Sequence, residues 1–242
     1  MVFRAFFQLK TSTYFDRKKK GKKKFEQNLE KKPLSICKQF NINLLSSDES
    51  GTRELKKDIS FSLKQQIKWA VTKPPKIIKK PGINIRSQKR LAEKNEREWG
   101  NSIIGQTNNG QWSTLLGERL VYEILQLKGE NPRKPEKKGG FIPDWETEDF
   151  IYEVKTSNWW VSGTAGEKVL GTWIKYQNIR ELYGKPLRIV CVANQEYELE
   201  YGKIKYFGEN VTEKTKQALE LAQSWDIWYI KFSDLVSDFN YK

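Results

Sequence analysis

The chain has 242 residues, of which 37% are hydrophobic, and its mean hydropathy is -0.75. No stretch approaches the ~18 apolar residues of a membrane-spanning helix, so we expect an intracellular protein without a membrane partner. The sequence contains no histidine, which excludes HNH-type nucleases, His-ligated zinc sites and Ser-His-Asp catalysis, because each needs an imidazole. Any metal must therefore be held mainly by oxygen, which favours magnesium or manganese.

The formal net charge of +14 is concentrated in the first part of the chain. Residues 1–100 contain 26 Lys and Arg against 10 Asp and Glu, whereas residues 101–242 contain 18 against 20. This asymmetry indicates a polyanionic partner, and nucleic acid is favoured because lysines release its condensed counterions. An acidic membrane surface and a merely solubilising lysine-rich arm are the alternatives. We therefore interpret residues 1–100 as a basic, partly helical DNA-binding region and residues 101–242 as a second domain.

The strongest run of basic residues covers positions 17–24, RKKKGKKK, which cannot pack into a core. We expect this run to become ordered on a phosphate backbone, with DNA contacts from Lys18, Lys19, Lys22 and Lys23. Apolar residues at helical spacing then predict a helix over 52–72. The basic segment 73–90 contains several prolines and is typical of a linker or an extended DNA-contacting segment. Residues 91–99 follow as a short helix.

The second domain alternates helical and strand patterns. Helices are predicted over residues 113–128, 167–183 and 212–224. Strands are predicted over residues 141–144, 150–156, 186–193 and 226–231. Residues 195–209 are interpreted as a hairpin or a surface excursion. This order of elements predicts an α/β core in which helices flank a central mixed β-sheet.

Strand 150–156 combines an apolar pattern with two charged residues of opposite sign. Side chains alternate along a strand, so Glu153 and Lys155 project from the same face. Asp144 ends the preceding strand across a short turn, and it can approach Glu153 closely enough to share a divalent ion. Two carboxylates that hold a metal, beside a lysine that orients water or offsets charge, suit phosphodiester hydrolysis. The simpler alternative is a turn aspartate and an exposed cross-strand ion pair.

The string PD-x8-EVK, preceded by a helix that carries Glu118, resembles the PD-(D/E)XK nuclease superfamily and, within it, the type II restriction endonucleases. The matching order covers residues 112–193, so the resemblance implies a restriction-endonuclease-like core. It also implies metal ligation by Asp144 and Glu153, a catalytic role for Lys155 and an accessory acid at Glu118. The implied cofactor is Mg²⁺, with Mn²⁺ as a substitute. The implied activity is site-specific cleavage of double-stranded DNA.

Further features bear on how DNA is bound. Loop residues 162–168 open a predicted helix, and Lys168 with the backbone N–H groups could grip a phosphate. Trp159 and Trp160 could stack on bases, or they could simply pack in the fold. Cleavage of both strands at a symmetric site needs two active sites, so we expect a homodimer. A structure-specific repair or junction-resolving nuclease of the same fold and a non-catalytic DNA-binding protein remain the alternatives.

Overall fold

The computed structural model describes residues 57–78, 82, 84–105, 110–160 and 169–241. All described residues belong to one unit of the chain, Leu55–Lys242. The helices between residues 60 and 105 pack against later elements of the chain, and the predicted domain boundary near residue 100 stays a prediction. A DNA-binding role of residues 1–100 stays a prediction.

Eight helices occur in the described residues, and we number them in chain order. They are α1 (Phe61–Val71), α2 (Ile85–Ile104), α3 (Trp112–Lys128), α4 (Thr172–Lys175), α5 (Ile179–Tyr183), α6 (Asn194–Tyr201), α7 (Glu213–Ser224) and α8 (Phe232–Leu235). None of them is long and apolar enough to cross a membrane.

The described residues form six strands in two sheets. The strands are β1 (Lys57–Asp58), β2 (Trp145–Glu146), β3 (Ile151–Ser157), β4 (Leu187–Ala193), β5 (Ile227–Lys231) and β6 (Phe239–Asn240). The main sheet has the order β2-β3-β4-β5, with β2 antiparallel to β3 and the other pairs parallel. The short strands β1 and β6 pair in parallel. This architecture confirms the predicted mixed sheet flanked by helices.

Helix α3 and strand β4 both contain many fully buried residues, and both match their sequence predictions. Helix α3 buries Leu116, Leu120 and Ile124 completely, as its apolar stripe predicts. It ends where Gly129 adopts the left-handed conformation with φ of 86°. Strand β4 is buried at every position except Arg188, because it lies between two parallel neighbours and under helices.

Helices α1 and α2 differ from the sequence prediction in length. Helix α1 begins at Phe61 because the Ser60 hydroxyl accepts a hydrogen bond from the Leu63 N–H at 3.3 Å. Helix α2 is a long helix, whereas a linker and a short helix were predicted there. Asn84 caps it by accepting hydrogen bonds from two backbone N–H groups. Most residues of α2 are charged or polar, so the few buried positions do not form a recognisable apolar pattern in the sequence.

Three later segments also correct the prediction. Residues 141–144 contain no strand; the short strand β2 begins one residue after Asp144. In place of one helix over 167–183, the described part of that segment forms the short helices α4 and α5. Residues 195–209, which were interpreted as a hairpin or a surface excursion, begin within helix α6.

Candidate active site

Strand β3 places Glu153 and Lys155 on the face that the alternation of side chains predicts. The Lys155 ammonium donates a hydrogen bond to Glu153 Oε1. Glu153 is 6% exposed, so this carboxylate is largely removed from solvent. Ile151 and Tyr176 belong to one hydrophobic cluster, and the Tyr176 hydroxyl reaches Glu153, so Ile151 also lies on this face. Glu153 and Lys155 therefore form an ion pair, but the alternative interpretation that this pair is exposed to solvent is wrong.

Asp144 is fixed against β3 by two hydrogen bonds to the strand backbone. Its N–H donates to the Tyr152 carbonyl at 3.0 Å, and its Oδ2 accepts from the Val154 N–H at 2.8 Å. The side chain is buried. Although the predicted strand before Asp144 is absent, the short turn into β2 brings the carboxylate to the middle of β3, as the sequence interpretation requires.

Helix α3 brings Glu118 to the same region through a close approach to β3. The approach depends on Gly117, because a Cβ atom there would lie 1.8 Å from Thr156 Oγ1. The Glu118 carbonyl accepts a hydrogen bond from Trp145 Nε1 at 2.8 Å, and the Glu118 side chain is buried. The helix is thereby tied to the start of β2, directly beside Asp144.

The carboxylates of Glu118, Asp144 and Glu153, which we call the acidic cluster, act together on one lysine. Burial by itself would lower the pKa of the Lys155 ammonium. The negative charges of Glu153, Asp144 and Glu118 outweigh burial and raise the pKa of Lys155 above its ordinary value. The sequence-predicted catalytic residues are thus brought together, and Lys155 carries a positive charge among them.

Tyr176 is a residue of this site that sequence reasoning missed. Its buried hydroxyl donates to Glu153 Oε2 at 2.8 Å, so both oxygens of Glu153 have hydrogen-bond donors. Burial and the charges of Glu153 and Asp144 raise the pKa of Tyr176, which keeps the hydroxyl protonated as a donor. The neighbouring Lys175 donates from its Nζ to the Tyr176 hydroxyl at 3.1 Å.

Lys134 is a second missed residue, from the loop between α3 and β2. Its Nζ donates to the Asp144 carbonyl at 2.8 Å and lies 3.8 Å from Glu118 Oε2. The same ammonium lies 3.8 Å from the centre of the Trp145 ring. It adds a second cation beside the acidic cluster. The sequence signal was hidden, because Lys134 is one of several basic residues in the same loop.

The acidic cluster provides the oxygen donors that a hard divalent cation prefers. Within the described ranges, no group of three or more His, Cys, Asp and Glu side chains is arranged to hold a metal ion. Asp144 and Glu153 are the two predicted ligands, and both are buried beside β3. Mg²⁺ typically takes one or two carboxylates from a protein and completes its shell with water and substrate phosphate. Asp144 and Glu153 therefore match the number and type of protein ligands that Mg²⁺ usually takes.

The structure does not describe the lysines that were predicted to contact DNA. Lys18, Lys19, Lys22, Lys23 and Lys168 lie outside the described residues, so their roles stay predictions. Trp159 and Trp160 follow the end of β3 and are half-buried. The Trp159 indole N–H donates to the Trp69 carbonyl at 2.8 Å, so this ring is anchored in the fold.

In comparisons with known proteins, no family model, no curated protein and no solved structure matches this chain. Its function is therefore inferred from the residues and their geometry.

Proposed function

We propose that the chain is a magnesium-dependent endonuclease that hydrolyses phosphodiester bonds of double-stranded DNA. The observation that carries this proposal is the ion pair of Lys155 with the buried Glu153 on β3, beside the buried carboxylates of Asp144 and Glu118, whose charges raise the pKa of Lys155. Clustered like charges are costly in a folded protein and are typical of functional sites. The set also agrees with the residues at which the sequence resembles the PD-(D/E)XK superfamily, which supports a restriction-endonuclease-like core.

In this proposal Asp144 and Glu153 hold Mg²⁺, or Mn²⁺ as a substitute. When bound, such an ion polarises the scissile phosphate and lowers the pKa of a coordinated water. Asp144 keeps its orientation through the Val154 N–H, and Glu153 keeps its own through the Tyr176 hydroxyl. These contacts position the carboxylates before substrate arrives.

Lys155 and Glu118 have distinct roles at the reacting phosphate. Lys155 is charged, so it offsets negative charge that grows on the phosphate oxygens in the transition state. Glu118 acts as an accessory acid of the cluster, and Lys134 limits the repulsion between Glu118 and its neighbours. In the overall hydrolysis, water forms a new bond to phosphorus and a P–O bond of the backbone breaks.

The DNA partner is supported by the charge distribution. Residues 1–100 carry 26 basic against 10 acidic residues, and lysines at positions 18, 19, 22, 23 and 168 are the proposed phosphate contacts. We further propose a type II restriction endonuclease that acts as a homodimer, since cutting both strands of a symmetric site requires two active sites.

Incubation of plasmid DNA with the protein and Mg²⁺ tests the function. Discrete fragments support site-specific cleavage, whereas preferential cutting of branched DNA supports a junction-resolving nuclease of the same chemistry. The Asp144→Asn variant retains an oxygen for the Val154 N–H and should bind DNA without cutting it. Salt-sensitive DNA binding without any cleavage by the wild-type protein would contradict the enzyme and favour a non-catalytic DNA-binding protein.

A further inference from the structure

An open groove of about 330 Å³ lies where the end of strand β3 meets the segment between α1 and α2. Three lysines line it, Lys73, Lys76 and Lys89, together with Trp159 and Trp160. No acidic side chain is among its described lining residues. Its volume lies within the range of about 300–1,000 Å³ that is usual for ligand sites. The groove therefore combines positive charge with aromatic surface.

Trp159, one of the two tryptophans of the groove, is fixed by hydrogen bonds and ring contacts. Glu96 of helix α2 accepts hydrogen bonds from the Trp159 N–H at 3.0 Å and from the Trp69 indole N–H at 2.9 Å. The Trp159 ring packs edge-on against Tyr197, with ring centres 6.0 Å apart. Lys73 lies 3.6 Å above the same Tyr197 ring. A ligand that stacks here meets a surface already in place, which lowers the entropic cost of binding.

The groove lies close to the acidic cluster along the chain. Trp159 follows Lys155 by four residues, which span at most about 14 Å even when fully extended. Successive phosphates of one DNA strand advance by about 3.4 Å along the duplex axis. A strand with its scissile phosphate beside Lys155 can therefore reach the groove within a few nucleotides.

We propose that this groove binds an unpaired nucleotide of the DNA substrate, adjacent to the cleaved bond. The inference rests on the proposed function, because it places DNA at the acidic cluster. Bases within a duplex are stacked on both faces, so an indole can stack only on a base that has left the helix. The base packs against the tryptophans and the neighbouring Pro74 and Pro75, and its phosphates lie beside the lysines.

Binding measurements without a divalent metal test this site independently of cleavage. A labelled duplex and the same duplex with a single bulged nucleotide are titrated with the full chain, and the dissociation constants are compared. Stacking of one base on an aromatic ring strengthens binding by about fivefold or more. We expect wild-type protein to bind the bulged duplex more tightly by this factor.

The variants assign the preference to the groove. Trp160→Ala should abolish the preference while leaving duplex affinity unchanged, and Trp160→Phe should retain most of it because a ring remains. Lys76→Ala should weaken binding of the bulged duplex. Phe61→Ala, which removes an aromatic ring that is 75% exposed at the start of α1, is the matched control and should change nothing. Thermal unfolding verifies that each variant is folded.

The outcomes separate the groove from the nuclease. Mg²⁺-dependent cutting without a preference for the bulged duplex would overturn the groove proposal alone, and the groove would then accommodate another occupant, such as a second copy of the chain. A preference that depends on Trp160, without any cutting, would support the groove and overturn the nuclease. A preference that survives in folded Trp160→Ala and Lys76→Ala would also overturn the groove proposal.

Discussion

Glu153 and Glu96 are both buried carboxylates close to strand β3, yet their surroundings differ. Glu96 accepts hydrogen bonds from two neutral donors, the backbone N–H of Trp159 and the indole N–H of Trp69. Glu153 is hydrogen-bonded to a charged lysine, and the charges of Asp144 and Glu118 also raise the pKa of that lysine. The bonds of Glu96 join three segments of the fold. The acidic cluster places several negative charges close together, which a stable fold does not require. Such a cluster is typical of a functional site, where it could bind a metal ion that in turn binds a phosphate.

The largest expected effect is on catalysis, from the lysine of the acidic cluster. Lys155→Met should reduce the Mg²⁺-dependent cleavage rate by about 10²- to 10⁴-fold, because the charge that offsets the phosphate is removed. Single-turnover cleavage of one DNA fragment measures the change, with the folded fraction determined by circular dichroism. Lys214→Met, at an exposed position of α7, serves as the control. A folded Lys155→Met protein that cuts within a fewfold of wild type would remove Lys155 from the mechanism.

The second-largest expected effect is on the stability of the fold, when the Glu96 carboxylate is removed. Glu96→Ala leaves the Trp159 and Trp69 N–H groups without their acceptor, and each unsatisfied buried donor costs about 1–3 kcal/mol. We expect the free energy of unfolding to fall by about 2–6 kcal/mol in denaturant titrations. Glu98→Ala, an exposed position on the same helix, should change it by less than about 0.5 kcal/mol. Equal losses in the two variants would show that the Glu96 hydrogen bonds do not stabilise the fold.

The smallest effect is a pH dependence of stability at Glu96. Burial raises the pKa of Glu96 although several hydrogen bonds lower it, so the folded protein binds this proton more tightly than the unfolded chain. The stabilisation is fully present below the unfolded pKa of about 4.3 and is lost as pH rises through the raised folded pKa. Glu96→Gln should therefore show a smaller loss of stability than wild type as pH rises from about 4 toward neutrality. Parallel curves for the two proteins would contradict the raised pKa.

The sequence predicted elements whose signals are local. Helix α3 has a continuous apolar stripe and a terminal glycine, and β4 is a continuous apolar run, so both were predicted within one or two residues. Helix α2 was largely missed because most of its residues are charged and prolines precede it. Residues 167–183 were predicted as one helix because spacing alone does not reveal a break between two short helices.

Some residues of the candidate active site were predictable from local sequence patterns, and others were not. The proximity of Glu153 and Lys155 follows from alternation along one strand. Asp144 was expected near that strand because a short turn limits how far it can lie, and its Oδ2 accepts a hydrogen bond from the Val154 N–H. Tyr176 and Lys134 reach the acidic cluster only through tertiary packing. Neither Tyr176 nor Lys134 lies at a sequence distance from Asp144, Glu153 or Lys155 that would distinguish it from neighbouring residues. Their contribution becomes visible only when the distances are known.

The most direct test of the acidic cluster is DNA cleavage as a function of Mg²⁺ concentration in wild type, Glu153→Gln and Glu98→Gln. Glu153→Gln preserves shape but removes the charge that binds the ion, and a metal supplies several kcal/mol to such reactions. We predict a loss of at least about 100-fold in Glu153→Gln and wild-type cleavage in Glu98→Gln. Cleavage that is independent of Mg²⁺, or that persists unchanged in a folded Glu153→Gln protein, would contradict the proposed active site.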